Sequence, residues 1–268
     1  MSPEPTMRTA LTIAGSDSSA GAGLQADLKT FAAHGIYGTS VVTAVTAQNT
    51  SGIQAIYEVP SEIVSSQIDA VASDIAIHAT KIGMLATAAV VQAVVRALER
   101  WSLPNIVLDP VMIATSGERL LSRESIPIMK SDLLRLAAVV TPNAAEAAIL
   151  AEMPVTTVAD ARQAAERIVA LGAQAVIVTG GHLQETEAVD LLVDESGFHE
   201  LRWPRVETGP THGTGCTFAA AVAANLALGR SLRASAEQAK TYVAAALRHP
   251  LAPGRGRGLL DHFWTCDR

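Results

Sequence analysis

The length, composition and charge of the chain exclude several classes of protein. Its 268 residues are 49% hydrophobic and 17% charged, which is enough apolar material for a core and too little charge for a disordered chain. Lys and Arg number 20 and Asp and Glu number 26, so the net charge is −6 and we expect no nucleic-acid partner. The longest apolar helical stretch, 218–224, falls far short of the roughly 20 residues that a bilayer requires, so we expect no membrane partner.

The N-terminal segment and the cysteines indicate a compartment. Residues 1–19 lack the charged-then-apolar pattern of a signal peptide, because Thr12 interrupts the apolar run and Gly15 ends it. Cys216 and Cys266 are too few for a disulfide framework and have no metal-ligand spacing. These features predict a cytoplasmic protein.

Short apolar segments alternate with segments of helical periodicity along the first 180 residues. Runs rich in Val, Thr and Ile predict strands, and apolar residues at three- and four-residue spacing predict helices. The predicted strands are 8–14, 39–47, 79–84, 105–109, 137–141 and 175–178. The predicted helices are 22–34, 63–72, 86–100, 123–136, 143–151 and 158–171. This alternation predicts an α/β fold with a mainly parallel central sheet and helices on both faces.

The alternation of predicted strands and helices ends after Gly181. Segments 188–193 and 198–203, joined by four polar or glycine residues, predict a small antiparallel hairpin. Two alanine-rich helices are predicted at 215–228 and 232–247. Since the chain shows no internal repeat and no linker, we expect a single domain over residues 1–268.

The two ends of the chain are expected to be peripheral to that domain. They are residues 1–7 and 250–268. The tail at 250–258 is rich in Pro, Gly and Arg, which is typical of a surface loop.

A glycine-rich loop at 15–23 follows the first strand, where open α/β sheets bind ligands. Residues 21–26 also satisfy the Gly-or-Ala variant of the dinucleotide fingerprint. However, no acidic residue lies between Asp27 and Glu58 to hold a ribose, and the loop is too long for the tight turn. A nicotinamide-dependent oxidoreductase is therefore disfavoured. A turn that serves only the backbone is the competing interpretation, and Asp17 favours a ligand loop.

Two residues at strand ends are candidates for contact with a ring. Gln48 closes an apolar strand, and its amide can donate and accept hydrogen bonds together. An amide that merely caps the strand is equally ordinary. Met84 follows another strand, and its polarizable thioether could contact a ring. A methionine that is simply buried in the core is an equally weighted alternative.

Polar residues after the later strands are candidates for contact with metal and phosphate. Asp109 ends an aliphatic strand, where it could bind a metal or hydrogen-bond a loop. Asn143 and Glu146 lie three residues apart at a helix start, where they could form a capping box, lie near magnesium and phosphate, or do both. The turn at 179–182 contains two glycines that would let a nucleotide approach the backbone, and a simple turn is the competing interpretation.

The most specific signal is the segment 211–217, Thr-His-Gly-Thr-Gly-Cys-Thr, which leads directly into a helix. Glycines before a helix start expose backbone N–H groups, and the helix dipole adds positive potential, so the turn suits an anion. At such a position we expect a lowered pKa for the Cys216 thiol, which would make it a proton acceptor or nucleophile. The alternative is a small buried residue at a helix cap. No GxxxxGK[ST] sequence occurs, so a P-loop kinase is excluded.

Taken together and in this order, nine short strings resemble one family over about residues 8–247. The family is hydroxymethylpyrimidine/phosphomethylpyrimidine kinase of thiamine biosynthesis, in the ribokinase-like superfamily. The strings are 13–17, 21–23, 25–30, 47–50, 81–84, 109–112, 141–143, 180–182 and 212–216. The combination is far more specific than any single motif.

The resemblance implies an enzyme that uses ATP and Mg²⁺ to phosphorylate 4-amino-5-hydroxymethyl-2-methylpyrimidine and then its monophosphate. It implies a pyrimidine pocket formed by Asp17, Ala22, Gln48, Met84 and Val111, with Gln48 bonding to the ring. It places an anion hole at Gly213, Thr214 and Gly215, with Cys216 taking or orienting the proton of the substrate hydroxyl. It places magnesium and phosphates near Asp109, Asn143 and Glu146, and the nucleotide beside Thr179, Gly181 and His182. It also suggests a homodimer, in which the hairpin at 188–203 could serve as lid or contact.

The chain departs from the family at Thr179, where some relatives have lysine, so one positive charge beside the phosphates is missing. Two alternatives stay open. A pyridoxal kinase would bind a similar ring that bears a hydroxymethyl group, and a catalytically silent pyrimidine-binding protein would bind the ring without turnover.

Overall fold

The computed structural model describes residues 7–114, 117–181, 187–206 and 211–265. Its centre is a nine-stranded sheet with the order β3-β2-β1-β4-β5-β6-β7-β8-β9. The strands are β1 (Thr9–Asp17), β2 (Tyr37–Asn49), β3 (Gly52–Glu58), β4 (Ala79–Ile82), β5 (Ile106–Leu108), β6 (Val139–Val140), β7 (Val176–Val178), β8 (Glu187–Asp194) and β9 (Gly197–Pro204).

The sheet is parallel in its interior and antiparallel at both edges. Strands β2, β1, β4, β5, β6 and β7 run parallel, whereas β3 pairs antiparallel with β2, and β8 and β9 extend the opposite edge as an antiparallel hairpin. The predicted mainly parallel sheet and the predicted hairpin are both confirmed. The strand order reverses at β1, which lies between β2 and β4. Such a reversal opens a crevice beyond the carboxyl ends of the strands.

Helices cover both faces of the sheet, as predicted. They are α1 (Gly23–Ala33), α2 (Ser61–Ala72), α3 (Ala88–Trp101), α4 (Ser125–Ile128), α5 (Ala144–Ala151), α6 (Val158–Ala170), α7 (Thr214–Ala227) and α8 (Leu232–Arg248). Residues of α2 to α6 form one core with the sheet, and residues of α1, α7 and α8 form a second core on the other face. Among the described residues, no helix combines the length and the apolar character needed to cross a bilayer.

Helix α7 packs closely against the sheet because its side chains are small. The run Ala219–Ala224 is completely buried. Alanine costs no side-chain entropy in a helix and lets the backbone approach its neighbour. This close approach places the first turn of α7 at the carboxyl ends of the strands.

The prediction of one regular helix over 123–136 is wrong. After α4 the chain continues as a π turn at Met129–Leu133 and a 3₁₀ turn at Leu134–Leu136. Pro127 lies in the first turn of α4, where a missing backbone N–H costs nothing, so the chain can start a helix there. The spacing of the apolar residues does not distinguish a regular helix from the π and 3₁₀ turns that follow.

Strand β3 was not predicted. It is an edge strand whose residues from Gln54 to Glu58 are all exposed, so its sequence carries no alternation of buried and exposed positions. Its existence depends on pairing with β2, which only the tertiary structure shows.

The C-terminal tail is anchored more firmly than a surface loop. Residues 252–256 are exposed, as predicted, but β11 (Pro250–Leu251) and β12 (Gly258–Leu260) flank them. Strand β12 pairs with β11 and with β10 (Thr211–His212) to form a second, three-stranded sheet. Because Leu259 and Leu260 are buried, this part of the tail is not peripheral.

Candidate active site

A cavity of about 840 Å³ lies beyond the carboxyl ends of the parallel strands, and we call it the central cavity. Every predicted site residue that the structure describes lines it; His182 lies outside the described residues. Those residues are Asp17, Ala22, Gln48, Met84, Asp109, Val111, Asn143, Glu146, Thr179, Gly181, Gly213, Thr214, Gly215 and Cys216. Since each segment follows a different strand or begins a helix at that edge, the parallel sheet brings them together.

The glycine-rich loop is folded around the carboxylate of Asp17. This carboxylate accepts hydrogen bonds from the backbone N–H groups of Ser19 (2.8 Å), Gly21 (3.1 Å) and Ala22 (2.8 Å). Burial acts to raise the pKa of Asp17, but hydrogen bonds from His212, Ser19 and Ala22 outweigh it and lower the pKa to about 2. Asp17 therefore shapes the loop as an ionised group, and the loop is at once a structural turn and a wall of the cavity.

Gln48 is held in place at the end of β2. The hydroxyl of Thr46 donates to Gln48 Oε1 over 3.1 Å, and Gln48 Nε2 lies 2.9 Å from His212 Nε2. The same imidazole nitrogen lies 3.2 Å from Asp17 Oδ2. We call this part of the cavity, formed by Asp17, Ala22, Gln48 and His212, the β2 end. It presents a side-chain amide whose position is set before any ligand arrives.

His212 belongs to the site, although the sequence reasoning did not select it. It lines the central cavity between Gln48 and Asp17. Its signal is its position in the segment 211–217, from which only the glycines, Thr214 and Cys216 were predicted as site residues. A polar side chain directly before a ligand-binding turn is a candidate in its own right.

Met84 and Val111 form an apolar wall next to the β2 end. Met84 is buried with Ala44 and Ala86, and Val111 packs against this small cluster. Met84 is therefore a core methionine that also lines the cavity. Its contact with a ring stays a prediction.

A network of buried charges lies beneath the middle of the cavity. The ammonium of Lys81 lies 3.0 Å from Asp27 and 3.5 Å from Asp109, and the Thr12 hydroxyl donates to Asp27 over 2.6 Å. Burial alone would lower the pKa of Lys81, but the negative charges of Asp27 and Asp109 and the hydrogen bond to Asp27 raise it above its usual value. Lys81 therefore remains charged inside the protein.

The sequence reasoning missed Lys81 and Asp27 as site residues, but both left a signal. Lys81 is the one charged residue in the short buried strand β4. Asp27 lies three residues after Leu24 and four before Phe31, on the buried side of α1. Two opposite charges on buried faces of neighbouring elements are expected to pair, since an isolated buried charge is very costly.

Asp109 and Glu146 are suited to a divalent cation. Asp109 Oδ2 is buried and lies 3.5 Å from the Lys81 ammonium, with no hydrogen bond of ordinary geometry among the described residues. Burial and the charge of Asp109 raise the pKa of Glu146 to about 8. No group of three His, Cys, Asp or Glu side chains in the described ranges could enclose a metal. Mg²⁺ typically binds one or two carboxylates and completes its shell with phosphates and water, and the carboxylates of Asp109 and Glu146 fit that pattern.

The capping box at the start of α5 is confirmed. The backbone N–H of Asn143 donates to Glu146 Oε2 over 2.9 Å, and the N–H of Glu146 donates to Asn143 Oδ1 over 3.0 Å. Both residues nevertheless line the central cavity. One oxygen of Glu146 serves the cap, which orients the carboxyl group toward Asp109.

The opposite end of the cavity lies at β7, and we call it the β7 end; it is formed by Asn143, Thr179, Gly181, Asp190 and Lys240. The backbone N–H of Gly180 donates to Asp190 Oδ1 over 2.8 Å, and Lys240 lies 2.7 Å from Asp190 Oδ2. The turn after Thr179 is thus tied to a cation from α8. Neither Asp190 nor Lys240 was predicted, because they are distant in sequence from every motif.

The segment Gly213, Thr214, Gly215 and Cys216, which we call the anion turn, begins α7. Gly213 has φ of +87°, and a Cβ atom there would lie 1.8 Å from the carbonyl oxygen of Gly21, so only glycine fits. No side chain caps the helix at this residue. The first N–H groups of the helix are therefore available to an anion, and the helix dipole supports its binding.

The expected lowering of the Cys216 pKa is wrong. Burial raises the pKa of this thiol to about 12; Lys81 opposes the change, while Asp109 and Asp27 add to it. The helix start lowers a thiol pKa only where desolvation and nearby carboxylates do not outweigh it. Cys216 is therefore a protonated thiol at neutral pH.

Comparison with known proteins covers almost the whole chain. The phosphomethylpyrimidine kinase family model matches residues 17–261. The hydroxymethylpyrimidine/phosphomethylpyrimidine kinase of Rhizobium meliloti is 48% identical over 263 residues, which are 96% of this chain and 98% of that protein.

Solved structures share the fold. An ADP complex of Bacillus subtilis pyridoxal kinase has a TM-score of 0.91 at 37% identity and covers 97% of this chain and 99% of its own. The phosphomethylpyrimidine kinase of Clostridium difficile has a TM-score of 0.80 at 40% identity and covers 89% and 99%. The family match begins at Asp17 and extends through the anion turn to β12, so it includes both ends of the central cavity. On this evidence the chain belongs to the phosphomethylpyrimidine kinase family, with the ribokinase-like fold expected from its sequence.

Proposed function

We propose that this kinase transfers the γ-phosphoryl group of ATP to 4-amino-5-hydroxymethyl-2-methylpyrimidine and then to the resulting monophosphate, for thiamine biosynthesis. One observation carries the proposal: a pre-positioned amide, an open helix start and two buried carboxylates line the same cavity. The amide suits an aminopyrimidine ring, the open helix start suits a transferred phosphoryl group, and the two carboxylates suit a metal. The Rhizobium meliloti relative carries the name of this activity.

At the β2 end, Gln48 would bind the ring and the apolar wall would cover it. Its amide can donate to a ring nitrogen and accept from the 4-amino group, which is the pattern of an aminopyrimidine edge. Thr46 and His212 hold the amide, so binding costs little side-chain entropy. Met84 and Val111 would contact the ring face, with Ala22 and Asp17 on the loop side.

The anion turn would stabilise the phosphoryl group in transfer. Its backbone N–H groups are fixed by the helix and need no rearrangement as charge develops. Positioning and charge stabilisation supply most of the catalysis in phosphoryl transfer. Gly213, Thr214 and Gly215 are therefore proposed as the groups that contact the reacting phosphoryl oxygens.

Cys216 would orient the substrate hydroxyl and receive its proton. Burial, together with the charges of Asp109 and Asp27, keeps the thiol protonated. Neutralising Asp109 by a bound cation would remove part of that effect, so we propose that Cys216 accepts a proton only in the loaded site.

The nucleotide would lie at the β7 end, beside Asn143, Thr179, Gly181 and His182. Asp109 and Glu146 would hold Mg²⁺, which when bound supplies positive charge to the phosphates. Lys240 of α8 is joined through Asp190 to the turn that follows Thr179, and it would supply positive charge on that side. The ADP complex of the Bacillus subtilis pyridoxal kinase supports nucleotide use by this fold.

Phosphorus NMR would test the proposal directly. Purified protein with magnesium-ATP is incubated separately with hydroxymethylpyrimidine, with its monophosphate and with pyridoxal. We expect conversion of both pyrimidines and little pyridoxal phosphate. If none of the three compounds is converted, the kinase assignment is overturned in favour of a silent binding protein.

Pyridoxal kinase is the second candidate function, and one observation favours it. The Bacillus subtilis pyridoxal kinase superimposes at a TM-score of 0.91, above the 0.80 of the Clostridium difficile phosphomethylpyrimidine kinase. Conversion of pyridoxal alone in the same experiment would make this the function.

We further propose a single catalytic domain that forms a homodimer in the cytoplasm. The edge formed by β2 and β3 exposes large apolar side chains, among them Val45, Ile56 and Tyr57. An unpaired sheet edge with such residues favours association with a second copy. Analytical ultracentrifugation would show a dimer, and a monomer at all concentrations would contradict this.

A further inference from the structure

Four cationic side chains line the central cavity, and three of them are already engaged. Lys81 is paired with Asp27, and Lys240 is paired with Asp190. Arg205 donates to the carbonyl oxygen of Gly181 over 2.8 Å. These three contacts hold the protein's own structure together.

The fourth cation, Arg257, is different. Its guanidinium makes no hydrogen bond or ion pair within the part of the chain that the structure describes, although the residue is partly buried. It lines the central cavity and also a second cavity of about 540 Å³ that lies beside Thr50 and Thr211. An unpaired cation at the junction of two cavities is available to an anionic ligand.

The position of Arg257 is fixed by the tail. The N–H of Gly256 donates to Thr50 Oγ1 over 3.1 Å, and the N–H of Arg257 donates to the Thr50 carbonyl oxygen over 2.9 Å. A Cβ atom on Gly256 would lie 2.1 Å from that same carbonyl oxygen, so only glycine permits the approach. The next residue, Gly258, pairs with Thr211 in the second sheet.

These contacts place Arg257 at the β2 end and beside the anion turn. Thr50 follows β2, two residues after Gln48. Thr211 lies three residues before Thr214, and their hydroxyl oxygens are 3.4 Å apart. By contrast, β7 is five strand spacings from β2, roughly 24 Å at the usual separation. Arg257 is therefore on the side of the ring substrate and not of the nucleotide.

We propose that Arg257 binds the phosphate of the monophosphate substrate and so determines the efficiency of the second phosphorylation. This inference rests on the proposed function. The first substrate carries no phosphate and gives the guanidinium nothing to bind, whereas the second carries a dianion. A guanidinium makes strong, often bidentate hydrogen bonds to phosphate.

The second transfer needs such a cation because two anions must meet. A non-bridging oxygen of the monophosphate attacks the γ-phosphorus of ATP and forms the new P–O bond. The bond from the γ-phosphorus to the oxygen of ADP breaks, and ADP leaves with the electron pair. No proton has to be removed from the attacking dianion, so charge neutralisation by Arg257 takes the place of proton acceptance.

Steady-state kinetics of Arg257→Gln and Arg257→Lys test the proposal, with Arg255→Gln as the matched control. Arg255 lies two residues earlier in the same tail, is exposed, and lines neither cavity. For R257Q we expect the KM for the monophosphate to rise about tenfold or more, because a charge-assisted contact is lost. The KM values for hydroxymethylpyrimidine and for ATP should stay unchanged, R257K should recover part of the loss, and R255Q should behave like the wild type.

The variants and the wild type together distinguish a failure of the Arg257 proposal from a failure of the proposed function. Unchanged KM for the monophosphate in R257Q, an equal rise for both pyrimidines, or an equal loss in R255Q would overturn the role of Arg257. If the wild-type chain phosphorylates neither pyrimidine, the proposed function fails instead. Calorimetric binding of the monophosphate to wild type and R257Q then still decides whether Arg257 holds its phosphate.

Discussion

The β2 end and the middle of the central cavity are built in opposite ways. At the β2 end, Gln48 and His212 are linked by hydrogen bonds at the cavity surface. In the middle, Lys81 and Asp27 form an ion pair that is completely buried. A hydrogen-bonded amide can select the shape of a ring at small cost, whereas a buried ion pair is costly to desolvate and sets the local charge. The comparison teaches that ring selection and phosphate chemistry depend on separate groups, which mutation should separate.

Removing the buried cation should have the largest effect. Lys81→Met leaves Asp27 and Asp109 as uncompensated buried carboxylates, so we expect a loss of about 3–5 kcal/mol in the free energy of unfolding. Urea denaturation followed by circular dichroism measures it. As a control, Arg233→Met removes an exposed pair with Glu237 and should hardly change the midpoint. Equal midpoints for the two variants would show that the buried network does not stabilise the fold.

Cys216→Ala should separate binding from chemistry. We expect transfer to the hydroxymethyl group to fall about 10²- to 10⁴-fold, because proton acceptance is lost, while pyrimidine binding is retained. Transfer to the monophosphate should fall less, since its attacking oxygen carries no proton. Single-turnover assays with each substrate, together with calorimetric binding, measure the difference. Near-normal turnover of hydroxymethylpyrimidine would rule out the proposed role.

The pH dependence of nucleotide use should report Glu146. Its pKa of about 8 exceeds the ordinary 4.5, so the folded protein holds this proton more tightly than the unfolded chain does. This contribution to stability is therefore complete below the ordinary pKa and is lost as pH rises through about 8. A cation binds the ionised form, so the KM for magnesium-ATP should fall up to about tenfold per pH unit on approaching that pKa from below.

Glu146→Gln is the variant that checks this assignment. It keeps the neutral form and can still accept the capping hydrogen bond, so the fold should persist while the slope of KM against pH flattens. A slope that is the same in wild type and variant would assign the titration to another group.

Gln48→Ala should give the smallest of these effects. Loss of one or two neutral hydrogen bonds corresponds to a rise of about three- to tenfold in the KM for hydroxymethylpyrimidine. The KM for ATP should stay constant because the nucleotide is proposed to lie at the β7 end. Thr46→Val provides a milder comparison, since it removes a hydroxyl that lies 3.1 Å from Gln48 Oε1 and 2.8 Å from the Ser16 carbonyl oxygen and leaves the Gln48 amide in place. If the KM values for all ring substrates stayed unchanged, Gln48 would have no part in ring selection.

Much of the fold could be predicted because apolar residues recur along the sequence at the period of each buried helix or strand face. Strands β1, β2, β4 and β5 and helices α3, α6 and α8 lie close to their predicted bounds. Strand β3 could not be predicted in this way, since its residues are exposed and its pairing with β2 is the only reason that it is a strand. The irregular turns after α4 likewise could not be predicted, because the apolar spacing is compatible with a regular helix over the same residues.

The candidate site was predictable where a motif ends a strand or begins a helix. Asp17, Gln48 and the anion turn are all such positions, and parallel strands bring them to one edge. Asp190, Lys240 and Arg257 carry no local signal, because each reaches the cavity from an element far from any motif. Their participation depends on how α8, β8 and the tail pack.

By itself, the sequence determined the α/β fold, the anion turn and the family, because backbone geometry and local motifs depend on neighbouring residues. The tertiary structure alone decided the charge states. The thiol of Cys216 has a raised pKa because burial disfavours the thiolate and Asp109 and Asp27 lie beneath it, and not the lowered pKa that its local sequence predicts. Electrostatic energies depend on distance and burial in space, and neither quantity is contained in the order of the residues.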